Sequence, residues 1–199
     1  MKFKYYIFAL LLVPFFANSA SSNTNLSKSR LFIESLGQEV LTKIADKNIT
    51  EKQREKNFRE LYTRAFDNNY ICQFVLGRHW KKINKKTQEE FVKSFNEYLI
   101  MIYAPKFKGW SGKFKTIRSQ FENNMYVVAM QLVTNSNSPT SLNLDWRLIL
   151  KNKEFKILDV NIDGVSMLVT QRAEFSSVIK NHPLGVKGLI KQMNDKVNS

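Results

Sequence analysis

Apolar positions in the first half of the chain recur at helical spacing; in the second half they alternate. Leu31, Ile33, Leu36, Val40, Leu41 and Ile44 recur at three- and four-residue spacing through Asp46, which predicts a helix with one buried stripe. Thr50-Glu51-Lys52-Gln53 has the form of a capping box, and Phe58, Leu61, Tyr62 and Ala65 supply the apolar face of a second helix. Asp67 is placed to cap a third over residues 68–76, closed by Gly77. Thr87-Gln88-Glu89-Glu90 is a further capping box, opening a helix lined on one side by Phe91, Phe95, Leu99, Ile102 and Tyr103 until Pro105.

After Gly109 and Gly112 the period shortens to two. Residues 113–121 and 125–134 predict a hairpin around Glu122-Asn123-Asn124, and Leu142, Leu144, Trp146, Leu148 and Leu150 alternate with Asn143, Asp145 and Arg147 along a third strand. Asn152-Lys153 turns into a fourth strand over residues 155–162, and Asp163-Gly164 ends the sheet. Residues 165–180 then read as a helix with Leu168, Phe175, Val178 and Ile179 inward, and a last helix after Pro183 carries Val186, Leu189, Ile190, Met193 and Val197. The expected class is α+β, with a helical N-terminal half and C-terminal helices packed on a four-strand antiparallel sheet. In Met125 to Val133 both alternating faces are apolar, so both sides of the sheet should be covered there, one by helix and the other by helix or ligand.

The 199 residues contain no internal repeat and no linker long enough to divide two domains. A hydrophobic fraction of 43% excludes disorder as the main state, and the lone Cys72 excludes an internal disulfide framework, a cysteine zinc site or a CxxC redox pair. At the N-terminus Lys2 and Lys4 precede the apolar run Ile7 to Phe16 and the small residues Ala17-Asn18-Ser19-Ala20. This is the pattern of a secretory signal peptide over residues 1–19, cut after Ser19. The run is too short to span a bilayer and contains Pro14, and no cysteine beside the cut offers a lipid anchor. Residues 20–29, rich in Ser and Asn, are expected to be a flexible leader to a single domain over residues 30–199.

Catalytic chemistry finds little support. The two histidines, His79 and His182, lie far apart, no H-E-x-x-H or G-x-S-x-G pattern is present, and no glycine-rich phosphate cradle exists. Ser166 is expected to cap a helix, and Asp159 and Asp163 to serve strand ends and helix caps. The net charge of +14 is carried mostly by lysine, clustered at Lys81-Lys82 with Lys85-Lys86, at Lys106, Lys108, Lys113 and Lys115, and at Lys151, Lys153 and Lys156. Lysine lacks the planar fork of arginine, so the pattern suits a diffuse field: a solvated face, or attraction to anionic membranes or acidic partners. Nucleic acid is a poor partner for an exported chain.

A family resemblance joins several of these stretches. Leu76-Gly77-Arg78-His79-Trp80, the helix from Thr87 to Tyr103, Leu144-Asp145-Trp146-Arg147, and Ile157 to Met167 leading to Arg172, Phe175 and Gly185 to Met193 resemble the MlaC, or toluene-tolerance, family. Its members are periplasmic phospholipid-binding carriers of diderm bacteria. The resemblance spans about Leu26 to Val197, with Asp159 to Phe175 its most specific piece; His79-Trp80 and Asn135 to Ser141 depart from the pattern, and no partner contact is carried over there.

The resemblance implies that the sheet is curved and encloses a deep apolar cavity for acyl chains. The cavity residues expected under it are Phe91, Phe95, Leu99 and Tyr103 on the fourth helix, and Met125, Val127 and Ala129 on the second strand. Leu144, Trp146 and Leu148 on the third strand, and Val165, Met167 and Leu168 after the sheet, complete the set, with Val165 at the mouth. It implies no catalytic residue, cofactor or metal, and phospholipid as cargo. It further implies a monomer in the periplasm that shuttles glycerophospholipids between outer and inner membranes. That carrier is the soluble component of an ABC transport system maintaining outer-membrane lipid asymmetry. The implied partners are an outer-membrane lipoprotein–porin complex, the MCE-domain subunit of the inner-membrane transporter, and, transiently, the membrane surface. The rival readings are an exported basic module binding an anionic polymer or host surface without lipid, and a secreted lipid-modifying enzyme, which the missing nucleophile set disfavours.

Overall fold

The computed structural model describes residues 19–134 and 141–199. The expected signal peptide therefore lies outside the described residues, apart from its last residue. Among the described residues six α-helices surround one sheet: α1 (Ser19–Glu39), α2 (Glu51–Ala65), α3 (Asn68–Leu76) and α4 (Lys85–Tyr103) before it, α5 (Met167–Asn181) and α6 (Val186–Val197) after it. The strands β1 (Gly112–Glu122), β2 (Met125–Thr134), β3 (Ser141–Lys151), β4 (Glu154–Ile162) and β5 (Val165–Ser166) form an antiparallel meander in chain order. The sheet thus has five strands where four were expected, because Asp163 and Gly164, at φ 48° and 84°, reverse the chain tightly enough to pair Val165 with Ile162. Asn123-Asn124 and Asn152-Lys153 hold the two other tight turns, each with both residues at positive φ, the geometry that matches strand twist.

The expected caps form at α2, where Thr50 accepts from the Gln53 N–H, and at α3, where Asp67 accepts from the Tyr70 N–H. The fourth helix opens earlier than its Thr87 box suggested: Asn84 caps it and accepts from the Thr87 N–H, while Thr87 is buried. Residues 20–29 are the first turns of α1 rather than a loose leader; Ser29 is buried and satisfies its hydroxyl on the Leu26 carbonyl. Past α1 the chain makes a π-helical turn over Val40–Ile44. Arg54, fully buried on α2, donates to the carbonyls of Ile44 and Asp46, which the end of that turn leaves without helical partners.

Two apolar clusters result. One is helical, built from α3 to α6 around Phe91, Phe95, Phe175, Leu189 and Met193. The other joins α1 and α2 to the sheet through Ile33, Leu36, Leu61, Val128, Met130, Leu148 and Ile157. Phe66, between α2 and α3, packs against both, and the Asp67 N–H donates to the Ile157 carbonyl at 2.9 Å to hold this junction on β4.

Candidate functional site: an apolar cavity at the seam of two clusters

The cavity lies where the clusters meet, with a volume of about 250 Å³. Four helices contribute residues at helical repeat: Phe58 and Tyr62 from α2, Ile71 and Val75 from α3, Phe95, Leu99 and Tyr103 from α4, and Met167, Leu168 and Gln171 from α5. Phe66 and Phe107 enter from the connecting segments, and Trp146, Leu158, Asp159, Val160 and Ile162 come from the sheet. All but Asp159 and Gln171 are apolar or aromatic.

Register explains the sheet's contribution. Trp146 pairs with Val160 and Leu144 with Ile162, whereas Arg147 pairs with Asp159 and Leu148 with Ile157, so Leu158 is an extra residue on β4. A bulge re-aims side chains locally. It keeps Ile157, Val160 and Ile162 on the helix-facing side and adds Leu158 to the wall. The indole Nε1 of Trp146 is buried with no hydrogen-bond partner among the described residues.

The aromatic wall is continuous: Tyr62 and Phe66 have ring centroids 5.0 Å apart, and Phe58 and Phe107 5.8 Å. Its phenols stay neutral. Burial pushes the Tyr62 hydroxyl well above its ordinary range, with neighbouring Cys72 adding to the shift, and burial followed by Glu174 raises Tyr103. Burial also pushes the Cys72 thiol, behind Tyr62, up to about 12, so it is no reactive thiolate. Tyr62 donates to Asn68 Oδ1 at 3.1 Å. Among the described residues no group of His, Cys, Asp and Glu is placed to hold a metal ion.

One polar cluster borders the cavity. Asp159 accepts from the Ser166 hydroxyl at Oδ2, 2.6 Å, and from the Leu168 N–H at Oδ1, 3.1 Å, with Arg147 Nη1 3.7 Å from the oxygen that holds the serine. Ser166 in turn caps α5 by accepting from the Val169 N–H at 3.0 Å. These bonds fix the start of α5, and with it Met167 and Leu168, against β4. The serine hydroxyl and the carboxylate thus both serve the N-terminus of α5.

Of the thirteen cavity residues expected from sequence, Phe95, Leu99, Tyr103, Trp146, Met167 and Leu168 meet here. The others do not line it. Phe91 sits one turn earlier on α4, edge-on to Phe175 in the helical cluster. Leu144 and Leu148 lie on the correct sheet face but pack in the cluster shared with α1 and α2. Val127 and Ala129 point the other way, because Val128 is the residue opposite Trp146. Val127 is flanked across the strands by Gln120 and Arg147, and Ala129 by Arg118 and Asp145, and both are buried. Met125 stands at the hairpin end of β2. Val165 is 54% exposed on β5 beside Ile162, outside the lining, because the chain turns back at Asp163-Gly164 instead of entering α5 directly. The residues missed, Phe58, Tyr62 and Phe66 above all, carried a readable signal: aromatics at a four-residue spacing, the first two on one face of α2 and the third just past its end.

At about 250 Å³ the cavity falls below the roughly 300–1,000 Å³ usual for small-molecule sites. A ligand with long chains therefore needs the seam between the clusters to widen. Among the described residues no helix is long and apolar enough to cross a membrane.

Three comparisons bear on this geometry. The sequence profile of the MlaC protein family matches residues 34–195, which takes in the whole cavity. A relative from Haemophilus influenzae, the intermembrane phospholipid transport system binding protein MlaC, is 27% identical over 133 residues. That alignment covers 65% of this chain and 61% of the relative, so the chain spans less than two thirds of the relative's length. A solved structure with a TM-score of 0.70 and 21% identity, covering 85% of this chain and 96% of its own, is a phospholipid-binding protein from Ralstonia solanacearum in complex with a phospholipid. It shares the fold of helices around an antiparallel sheet. From the profile match across most of the chain, this protein belongs to the MlaC family.

Proposed function

We propose that the chain is a periplasmic phospholipid carrier, holding acyl chains in the seam cavity and moving glycerophospholipids between the outer and inner membranes as the soluble component of an ABC transport system. The observation that carries this reading is the lining, aromatic and aliphatic in all but Asp159 and Gln171, at the junction of two separate cores, in a member of the MlaC family. Two acyl chains hold about 30 methylenes, and at about 0.8 kcal/mol each roughly 24 kcal/mol opposes their release into water. A pocket as apolar as the bilayer offsets most of that cost, so transfer runs nearly level and its direction is set by docked partners or by ATP hydrolysed elsewhere. The partners in this reading are an outer-membrane lipoprotein–porin complex and the MCE-domain subunit of the inner-membrane transporter. The chain itself performs no covalent chemistry. Export removes residues 1–19, leaving a mature N-terminus at Ala20.

Transfer of a labelled phospholipid from the loaded protein to acceptor vesicles tests the reading. Transfer is expected to be slow with protein and vesicles alone and fast once the MCE-domain subunit is present. Absence of transfer under both conditions from a folded, loaded protein would contradict the carrier role.

A further inference from the structure

The short helical turn between α3 and α4 and the start of α4 carry a concentration of charge that the cavity does not use. Arg78, Lys81, Lys82, Lys85 and Lys86 are all exposed within nine residues that contain no acid. Their only ion pair among the described residues is a loose one, Lys85 to Glu89 at 4.0 Å, with both side chains exposed. The apolar residues of the same stretch, Trp80 and Ile83, pack against the helical core instead of facing outward, and Gln88 ties the turn down by donating to the Trp80 carbonyl at 2.9 Å. Arg172 adds a further cation. Its guanidinium stacks on Phe74 at 5.1 Å and lies close against Gly77, where φ is 51° and an added Cβ would meet it at 2.8 Å. His79 reports the local potential: burial, then Arg78 and Lys82, hold its imidazole below the usual range.

We infer that the Arg78–Lys86 turn is an electrostatic docking surface for anionic phospholipid bilayers. Lysine, a compact hydrated charge, dominates the patch, whereas the cores of protein–protein interfaces favour Arg, aromatics and Met and are depleted in Lys. The patch presents none of its apolar residues as an anchor for a protein partner. A planar array of anionic headgroups asks for no shape complementarity, only for several cations within a Debye length of the surface. None of these cations lines the cavity, so docking and cargo retention are separable. The inference deepens the carrier reading by naming the surface that meets the membrane.

The test is co-sedimentation of the mature protein with vesicles of phosphatidylglycerol and phosphatidylcholine, against pure phosphatidylcholine, at low salt. The wild type is expected to pellet with the anionic vesicles only and to be released at about 0.5 M salt. The variant K81Q/K82Q/K85Q/K86Q is expected to bind at least about a hundredfold more weakly. A control with the same charge removed from exposed positions on α1, α2 and β1, K28Q/K52Q/K113Q/K115Q, should lose much less. Equal losses in the two variants would reduce the effect to net charge and overturn the assignment. A wild type that ignored anionic vesicles would overturn it too, and would turn attention to an acidic protein as the partner. Phospholipid content of the same preparations separates the two proposals: a lipid-free wild type that still needs these four lysines to pellet would break the carrier reading and support the docking surface.

Discussion

The Ser166 hydroxyl donates to Asp159 at 2.6 Å, and this bond joins the last long strand of the sheet to the N-terminus of α5. Asp159 is buried on β4, and the same carboxylate accepts from the Leu168 N–H. Ser166→Ala should cost about 1 kcal/mol through loss of the cap. Asp159→Ala leaves both the Leu168 N–H and the serine hydroxyl without their acceptor and should cost more, about 2–3 kcal/mol. Thermal denaturation should then show midpoints lower by about 2–4 °C per kcal/mol. Unchanged midpoints would mean that α5 is held by packing alone.

A carboxylate placed in the cavity should expel the cargo. Leu99→Glu and Met167→Glu each put a charge against acyl chains at a cost of several kcal/mol, while an emptied cavity lets water reach it. Both variants are expected to fold by circular dichroism and to yield no phospholipid on solvent extraction. Val165→Glu, on the exposed edge strand, should change stability by less than about 0.5 kcal/mol and keep its lipid. Lipid loss in the Val165 variant alone would move the site to β5.

Arg54 is a structural charge. Its guanidinium caps the carbonyls that end the π-helical turn and meets Glu51 at 3.3 Å. Arg54→Leu should lower stability by about 2–4 kcal/mol, because the carbonyls of Ile44 and Asp46 lose a charged donor in a buried site. Chemical denaturation should show the midpoint fall with an unchanged slope; a neutral result would mean that water replaces the guanidinium.

Acid should destabilise the fold in two stages. His79 sits below its ordinary 6.5, chiefly through burial, so below that pH the unfolded chain takes up a proton that the folded chain resists, and stability begins to fall. Glu97 is lowered by the Arg59 fork at 2.5 and 2.7 Å, and Glu34 by the Thr116 hydroxyl at 2.6 Å, each against some burial. A depressed carboxylate contributes stability above its ordinary 4.5 that is lost as pH falls through its lower folded value. Melting midpoints should therefore be level above about pH 7, decline gently from about 6.5 and steeply below about 4.5. A maximum near pH 4 would contradict these assignments.

Helices and strands were legible because apolar spacing is set by backbone geometry, and caps such as Thr50, Asp67 and Ser166 announce themselves locally. The cavity was only half legible. Leu99 and Tyr103 follow from the stripe on α4, but the two faces of β2 are equally apolar, and only pairing with β3 decides that Val128, not Val127 or Ala129, looks toward the helices. The bulge at Leu158 shows in the sequence as a change of phase, with Phe155 and Ile157 apolar before it and Leu158, Val160 and Ile162 after it, but only the pairing with β3 tells which of them face the helices. A break at Asp163-Gly164 is legible in the sequence, yet whether it releases a helix or folds a hairpin depends on two dihedral angles, and the hairpin puts Val165 at the surface.

Native mass spectrometry of the protein, purified without detergent, tests the central claim most directly. The account predicts a folded monomer carrying one phospholipid, released as an identifiable lipid on collisional activation and absent from the Leu99→Glu variant. A well-folded wild type found consistently at the mass of the bare chain would contradict it.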